Sequence, residues 1–278
     1  MSAAIASAAQ SHTRPRQSIF RNHIVRAVIS IVTFVLLWEV GSRLKLPWVG
    51  DVPAPTVVMK ALVPLLTDQG YWYSWYQSSR RVFTGFLAAM LIGIPFGLAM
   101  ATSRVFRDIT FPVFEILRPV PPLAWVPAAI IFWPTQELSI GFVIFLGAIF
   151  TIMLNVIGGA RSIDTRFFQA ARSMGSSNWD IFRRIVLPGV LPSIIVGCEV
   201  GIGITWNVVV AAEMISGGGG AIQSSAGGGL GFFIWSSYIG GSYPLIVVGM
   251  ISIGIAGYIS SAIIRQLGIM ITPWMRVR

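Results

Sequence analysis

Arg161-Ser-Ile-Asp-Thr-Arg-Phe-Phe-Gln-Ala-Ala-Arg-Ser-Met-Gly-Ser-Ser-Asn-Trp-Asp-Ile-Phe-Arg-Arg-Ile-Val-Leu-Pro188 is the longest charged stretch lying between two apolar segments of this chain. Leu138 to Ala160 on one side has no charge, and Pro188 to Ala212 on the other has only Glu199. Each flank approaches or exceeds the ~20 apolar residues that a membrane helix needs. Within the stretch, Asp164 is placed to cap a short helix running to about Ser173. Gly175 permits a turn. Ser176 or Ser177 caps a second short helix, expected to end at Pro188. The expectation is a helix-turn-helix at a membrane surface. Phe167, Phe168, Met174, Trp179 and Phe182 give it apolar knobs that suit a partner's groove.

Composition agrees with the flanks. Of 278 residues, 55% are hydrophobic and 11% charged, against roughly a quarter charged in soluble domains. A soluble globule and a disordered chain are both excluded. The chain reads as an all-α integral membrane protein with six transmembrane helices. The spans are Ile24–Val40, Val82–Thr102, Phe111–Trp133, Leu138–Ala160, Pro188–Ala212 and Pro244–Ile264. Residues 1–23 form an N-terminal tail, 24–265 the transmembrane domain and 266–278 a C-terminal tail, with the charged loop at about 161–188. No small-residue cleavage site follows the first apolar stretch, so it reads as an uncleaved span. The net charge of +10 resolves by position: fourteen of the twenty Lys and Arg fall on the side of the termini and the charged loop, and five on the other. That bias places both termini in the cytoplasm. It accounts for the basicity without a nucleic-acid surface and favours contact with anionic membrane lipid.

Several chemistries are excluded by scarcity. Cys198 is the single cysteine, and His12 and His23 are the two histidines. No disulfide, catalytic triad or metal site is expected. Neither Lys45 nor Lys60 follows a glycine, so there is no phosphate-binding loop. If ATP drives this protein, another chain binds it.

Gln169-Ala170-Ala171, Gly175, Ile185, Leu187 and Pro188 reproduce the spacing of the EAA loop of bacterial ABC importer permeases, with Gln169 where glutamate is usual. Arg118-Pro-Val-Pro-Pro-Leu-Ala-Trp-Val-Pro127 and Ala211-Ala-Glu213 resemble the nitrate/taurine group of that family, and Ile271-Thr-Pro-Trp274 resembles taurine permeases weakly. The resemblance implies a type I importer permease (MetI-like) fold in a bacterial inner membrane. It implies a homodimer with a second permease copy, two cytoplasmic ABC ATPase subunits that bind ATP and Mg, and a periplasmic or lipoprotein substrate-binding protein. It implies no cofactor and no catalytic residue in this chain. Gln169, Ala170, Ala171, Met174, Gly175, Ile185, Leu187 and Pro188 would form the ATPase-coupling element. The substrate it implies is taurine or another alkanesulfonate, with nitrate, bicarbonate or cyanate as the alternative. An ATP-independent channel or ion-coupled carrier is the rival of another class, and an export permease or membrane sensor on the same scaffold is a further one.

Candidate path or gate residues are Glu115, Arg118, Pro121, Pro122, Trp125, Trp206 and Glu213. The third span is broken by prolines, and broken backbone at membrane depth is tolerated where it lines a cavity. Glu115 and Arg118 stand one turn apart, so Arg118 either pairs with Glu115 or offers positive potential to an anion. Trp125 and Trp206 either line the route or pack. Glu213 suits a gate or dimer contact, since it would repel an anion. Gly93-x-x-x-Gly97 and Gly197-x-x-x-Gly201 suit close helix packing. Thr56–Leu66 reads as an interfacial helix followed by an aromatic anchor at Trp72, Tyr73, Trp75 and Tyr76. Ser216–Ser242, with ten glycines between Gly217 and Gly241, reads as an outer gate, a re-entrant piece or a loop.

Overall fold

The computed structural model describes residues 23–47, 50–217 and 228–274. The expected N-terminal tail, the glycine run at 218–227 and the last cations Arg276 and Arg278 lie outside the described residues. Every regular element described is a helix. The chain divides after Val57 into two compact units. In the first, α1 (His23–Arg43) is apolar along its length and ends on Glu39, which salt-bridges Arg43 and accepts the Thr56 backbone N–H at 3.0 Å. Those contacts hold Thr56 against the end of α1. α2 (Pro55–Leu65) begins there, where an interfacial helix is expected.

The second unit is built on three long helices. α6 (Gln136–Arg161) packs between α3 (Gln69–Thr102) and α9 (Leu187–Gly217), burying Val143, Ile144, Ala148, Ile152 and Val156. Glycines set the close approach. A methyl added at Gly85 of α3 would stand 2.7 Å from Ile144 Cγ2, and at Gly97 2.9 Å from Val156 Cβ. On the other side, a methyl at Gly197 of α9 would stand 2.7 Å from Asn155 Cβ. This is the packing role expected of both small-residue repeats. α10 (Leu230–Ile239) and α11 (Tyr243–Ile271) close the bundle against α9. Leu91, Met250, Tyr258 and Met270 are exposed large side chains on these helices, as a chain bathed in lipid or joined to further subunits requires.

Among the described residues, five helices are long and apolar enough to cross a membrane, and counting the bent pair over residues 104–132 as one span gives six. Three element boundaries differ from expectation. α3 begins at Gln69 instead of Val82. Its 34 residues span about 51 Å at 1.5 Å each, beyond the ~30 Å hydrocarbon core, so Arg80 and Arg81 belong to the helix itself. The aromatic cluster is its first turns, started by the Asp68 cap on the Gly70 N–H, and Tyr71 is buried with its hydroxyl 2.7 Å from Ser252 of α11. The third span is two pieces: α4 (Arg104–Leu117), then after an 87° bend a 3-10 turn at Pro122–Trp125 and α5 (Val126–Phe132). Finally, Pro188 does not end the second loop helix. α8 (Asn178–Ile181) continues through a π turn, Phe182–Val186, into α9. Pro188 has no N–H for an ordinary helical bond, and the wider i→i+5 spacing just before it carries the helix past the gap.

Candidate functional site

The charged loop folds as a hairpin. Asp164 caps α7 (Thr165–Ser173) by accepting the Arg166 N–H at 2.9 Å. At the helix end Gly175 takes φ +75°, and the Gly175 and Ser176 N–H groups return to Arg172 and Ala171 carbonyls. A left-handed residue just past a helix end is the usual glycine stop. Ser177, not Ser176, caps α8, in a reciprocal box with Asp180. Ala171 is buried beneath the hairpin, while Gln169 and Ala170 are exposed and Met174 is 78% exposed at the turn. Among the described residues, nothing stands within 4 Å of a Gly175 side-chain position. Ile185, Leu187 and Pro188 are half-buried along the π turn and the start of α9. The eight residues expected to couple to an ATPase lie along α7, the turn, the π turn and the start of α9, with Met174 and Gly175 at the turn.

At the other end of α9 stands a buried ionic knot that the sequence only half disclosed. Glu213 is 1% exposed and Arg81 2%. Arg81 Nη1 donates to Glu213 Oε1 at 2.9 Å, Ser78 Oγ lies 2.8 Å from both carboxylate oxygens, and the Gly231 N–H donates to Oε2 at 2.9 Å. Ser78 Oγ also accepts the Leu230 N–H at 2.8 Å. The far side of Arg81 grips Glu137, donating from Nε at 3.1 Å and from Nη2, and Arg80 donates to Glu137 at 2.7 Å. Five polar side chains thus tie α3, the start of α6, the end of α9 and the first turn of α10. A buried carboxylate with three sets of donors is satisfied, whereas either buried charge alone would be costly. Glu213 drew notice as an acid inside an apolar span. Its partners Ser78 and Arg81, more than 130 residues earlier, did not. The one local signal is the pair Arg80-Arg81 opening an otherwise uncharged run.

The remaining path candidates separate. Glu115, Arg118, Pro121, Pro122 and Trp125 sit together at the 87° bend. Arg118 and Glu115 are about half exposed and 3.5 Å apart. The Trp125 indole N–H is buried without a hydrogen-bond partner among the described residues. Trp206 is elsewhere: it is 3% exposed and donates to Ser260 Oγ at 2.8 Å, joining α9 to α11. Glu199, the other acid of that span, accepts from Arg265 at 2.9 Å.

The profile of the family described as "Binding-protein-dependent transport system inner membrane component" matches residues 93–277, from mid-α3 through the hairpin and α11. The chain belongs to that family. Similar proteins include the nitrate import permease NrtB of Synechocystis sp., 31% identical over 93% of each chain. The taurine transport system permease TauC of Escherichia coli is 29% identical over 90% of each. The bicarbonate transport system permease CmpB of Synechococcus elongatus is 29% identical over 84% of each. In fold, the permease matches a chain of the inward-facing MetNI methionine ABC transporter, with TM-score 0.59, 18% identity, and coverage of 74% of this chain and 98% of that one. It also matches a chain of a bacterial importer of the acidic polysaccharide alginate, with TM-score 0.59, 14% identity, and coverage of 91% and 98%. The all-helical importer-permease fold expected from the loop is thus the fold of this permease.

Proposed function

We propose that this permease carries a compact oxyanion inward through a homodimer driven by two ATPase subunits. The observation that carries the anion class is the near-equal, nearly full-length similarity to permeases named for nitrate, taurine and bicarbonate. Each of those solutes presents a small oxygen-rich anionic group. An alkanesulfonate such as taurine is the reading favoured by the Arg118–Pro127 run. Nitrate is the second, supported by 31% identity over 93% of both chains. Arg118, half exposed at the proline bend and 3.5 Å from Glu115, has charge to offer such an anion.

In this reading both termini and the hairpin face the cytoplasm of a bacterial cell. The ATPases hold ATP and Mg and seat the tip around Gly175, and a binding protein delivers solute from outside. Mechanically, α8, the π turn and α9 form one continuous 40-residue helix from Asn178 to Gly217. About 39 Å of it, at 1.5 Å per residue, separates Leu187 from Glu213. Motion of the hairpin is delivered along this rod to Glu213, and so to the starts of α6 and α10. The test is uptake into proteoliposomes holding the permease, its ATPases and its binding protein, with labelled taurine, nitrate and bicarbonate. ATP-dependent uptake of one of them, blocked by excess of the same anion, is expected. Uptake by the permease alone without ATP would instead establish the channel or carrier reading.

A further inference from the structure

Beside the hairpin, a groove of about 750 Å³ opens between the end of α3, the start of α4 and the α7–α8 pair. Its charged lining residues are Arg104 and Arg172, with Phe168, Trp179 and Phe182 as its aromatic wall. No acidic residue lines it. The acids of the hairpin are turned to other partners, Asp164 to Arg166 and Asp180 to Ser177 and Arg184. Neither Arg104 nor Arg172 has a carboxylate within ion-pair distance among the described residues. A concave site with two uncompensated guanidinium groups selects a phosphate-type anion, because the guanidinium fork matches its oxygens.

A second feature lies on α4, the helix that Arg104 begins. α4 presents Val105, Ile109, Val113 and Ile116 on one face at helical spacing, each more than half exposed. The stripe starts one residue after Arg104 and runs most of the 14-residue helix, about 17 Å from Val105 to Ile116 at 1.5 Å per residue. An acyl chain is a natural match in length and chemistry. A soluble phosphate or nucleotide would use the arginines and leave the stripe bare.

We propose that this groove binds the headgroup of an anionic phospholipid of the inner leaflet, with its tail along α4. The proposal rests on the cytoplasmic placement of the hairpin given above. Basic pockets between helices on that side recognise such headgroups. The bound lipid bridges α4 and the coupling hairpin, so it steadies the element through which the ATPases act.

The assembled permease–ATPase complex, extracted in mild detergent, tests this by native mass spectrometry with phosphatidylglycerol and phosphatidylcholine offered together. Wild type is expected to retain phosphatidylglycerol selectively. The double variant R104Q/R172Q loses that selectivity, by about thirtyfold in affinity if each arginine contributes as cations near anionic headgroups do. The double variant R104K/R172K, which keeps the charge but not the fork, falls between the two and controls for folding. Millimolar inorganic phosphate or ATP leaves the lipid in place. Equal retention by R104Q/R172Q and wild type overturns the proposal. So does displacement of the lipid by phosphate or ATP, which would make the groove a soluble-anion site. Lipid bound only when the ATPases are removed overturns it too, since the groove would then be theirs. Lipid retention does not depend on which solute is carried, so failure of every uptake assay leaves this result standing. A hairpin found on the outer face overturns the orientation and this proposal together.

Discussion

Glu213 shows how a single residue is read differently alone and in place. In the sequence it is an acid near the end of an apolar span, suited to a gate or a dimer contact. In the fold its carboxylate is enclosed by Ser78, Arg81 and the Gly231 N–H of its own chain. Periodicity and hydropathy register only neighbours along the chain, so a partner 132 positions away leaves no trace in them. Removing one member of a buried pair strands the other, at about 3–5 kcal/mol. Glu213→Ala is therefore expected to lower the melting temperature of the purified permease sharply, and Ser78→Ala by less, about 1–3 kcal/mol for the donors and acceptors it leaves unmet. Arg118→Gln supplies the contrast. Its pair with Glu115 is about half exposed, worth at most about 1 kcal/mol, so its melting should match wild type while anion uptake falls. Equal melting of Glu213→Ala and Arg118→Gln would show that the buried knot does not hold the helices.

At the scale of elements, the hairpin was legible because caps and turns are local chemistry. Asp164, Gly175 and Ser177 act within three residues of themselves. The ends of the long helices were not. A hydropathy reading finds the apolar middle of α3 and stops at Arg81, while the helix runs on through a polar, aromatic start. Pro188 misleads for a related reason: a proline stops a regular helix, and only the backbone shows that a π turn carries it through. Gly175 offers the cleanest test of the element. Its φ of +75° costs a β-branched residue on the order of 1–2 kcal/mol, but among the described residues no neighbour stands within 4 Å to clash. Gly175→Val should then leave membrane insertion and core melting unchanged and distort only the tip. With ATP hydrolysis and solute uptake measured in the same proteoliposomes, hydrolysis should continue while uptake per ATP falls. Gly175→Asn, which tolerates this backbone, should lose less. An unchanged ratio in Gly175→Val would remove the hairpin from the coupling route. Gly85→Val tests packing instead. Its side chain must displace Ile144, so the level of folded protein should drop, whereas Gly141→Ala enters open space and should be silent.

Over the whole molecule, bilayer thickness and charge placement are coarse constraints, and coarse features followed from them: the all-helical class, the number of spans and the broken third one. The assembly leaves fewer marks, because an exposed apolar or basic surface suits a second copy, an ATPase or lipid alike. Orientation is the global property that the remaining functional steps share, and the chain is convenient for measuring it. Its one cysteine, Cys198, is 3% exposed within α9, so it should resist thiol reagents. Ser176 lies at the hairpin turn, and Gln136 is exposed at the first turn of α6. With fourteen cations on the hairpin side against five on the other, the positive-inside bias predicts the outcome. A membrane-impermeant maleimide should label Ser176→Cys in inverted vesicles and not in intact spheroplasts. Gln136→Cys should give the reverse pattern, and wild type should stay unlabelled in both. Labelling of Ser176→Cys from outside would invert the molecule, place the hairpin beyond reach of any cytoplasmic ATPase, and leave the rod from Leu187 to Glu213 with nothing to drive it.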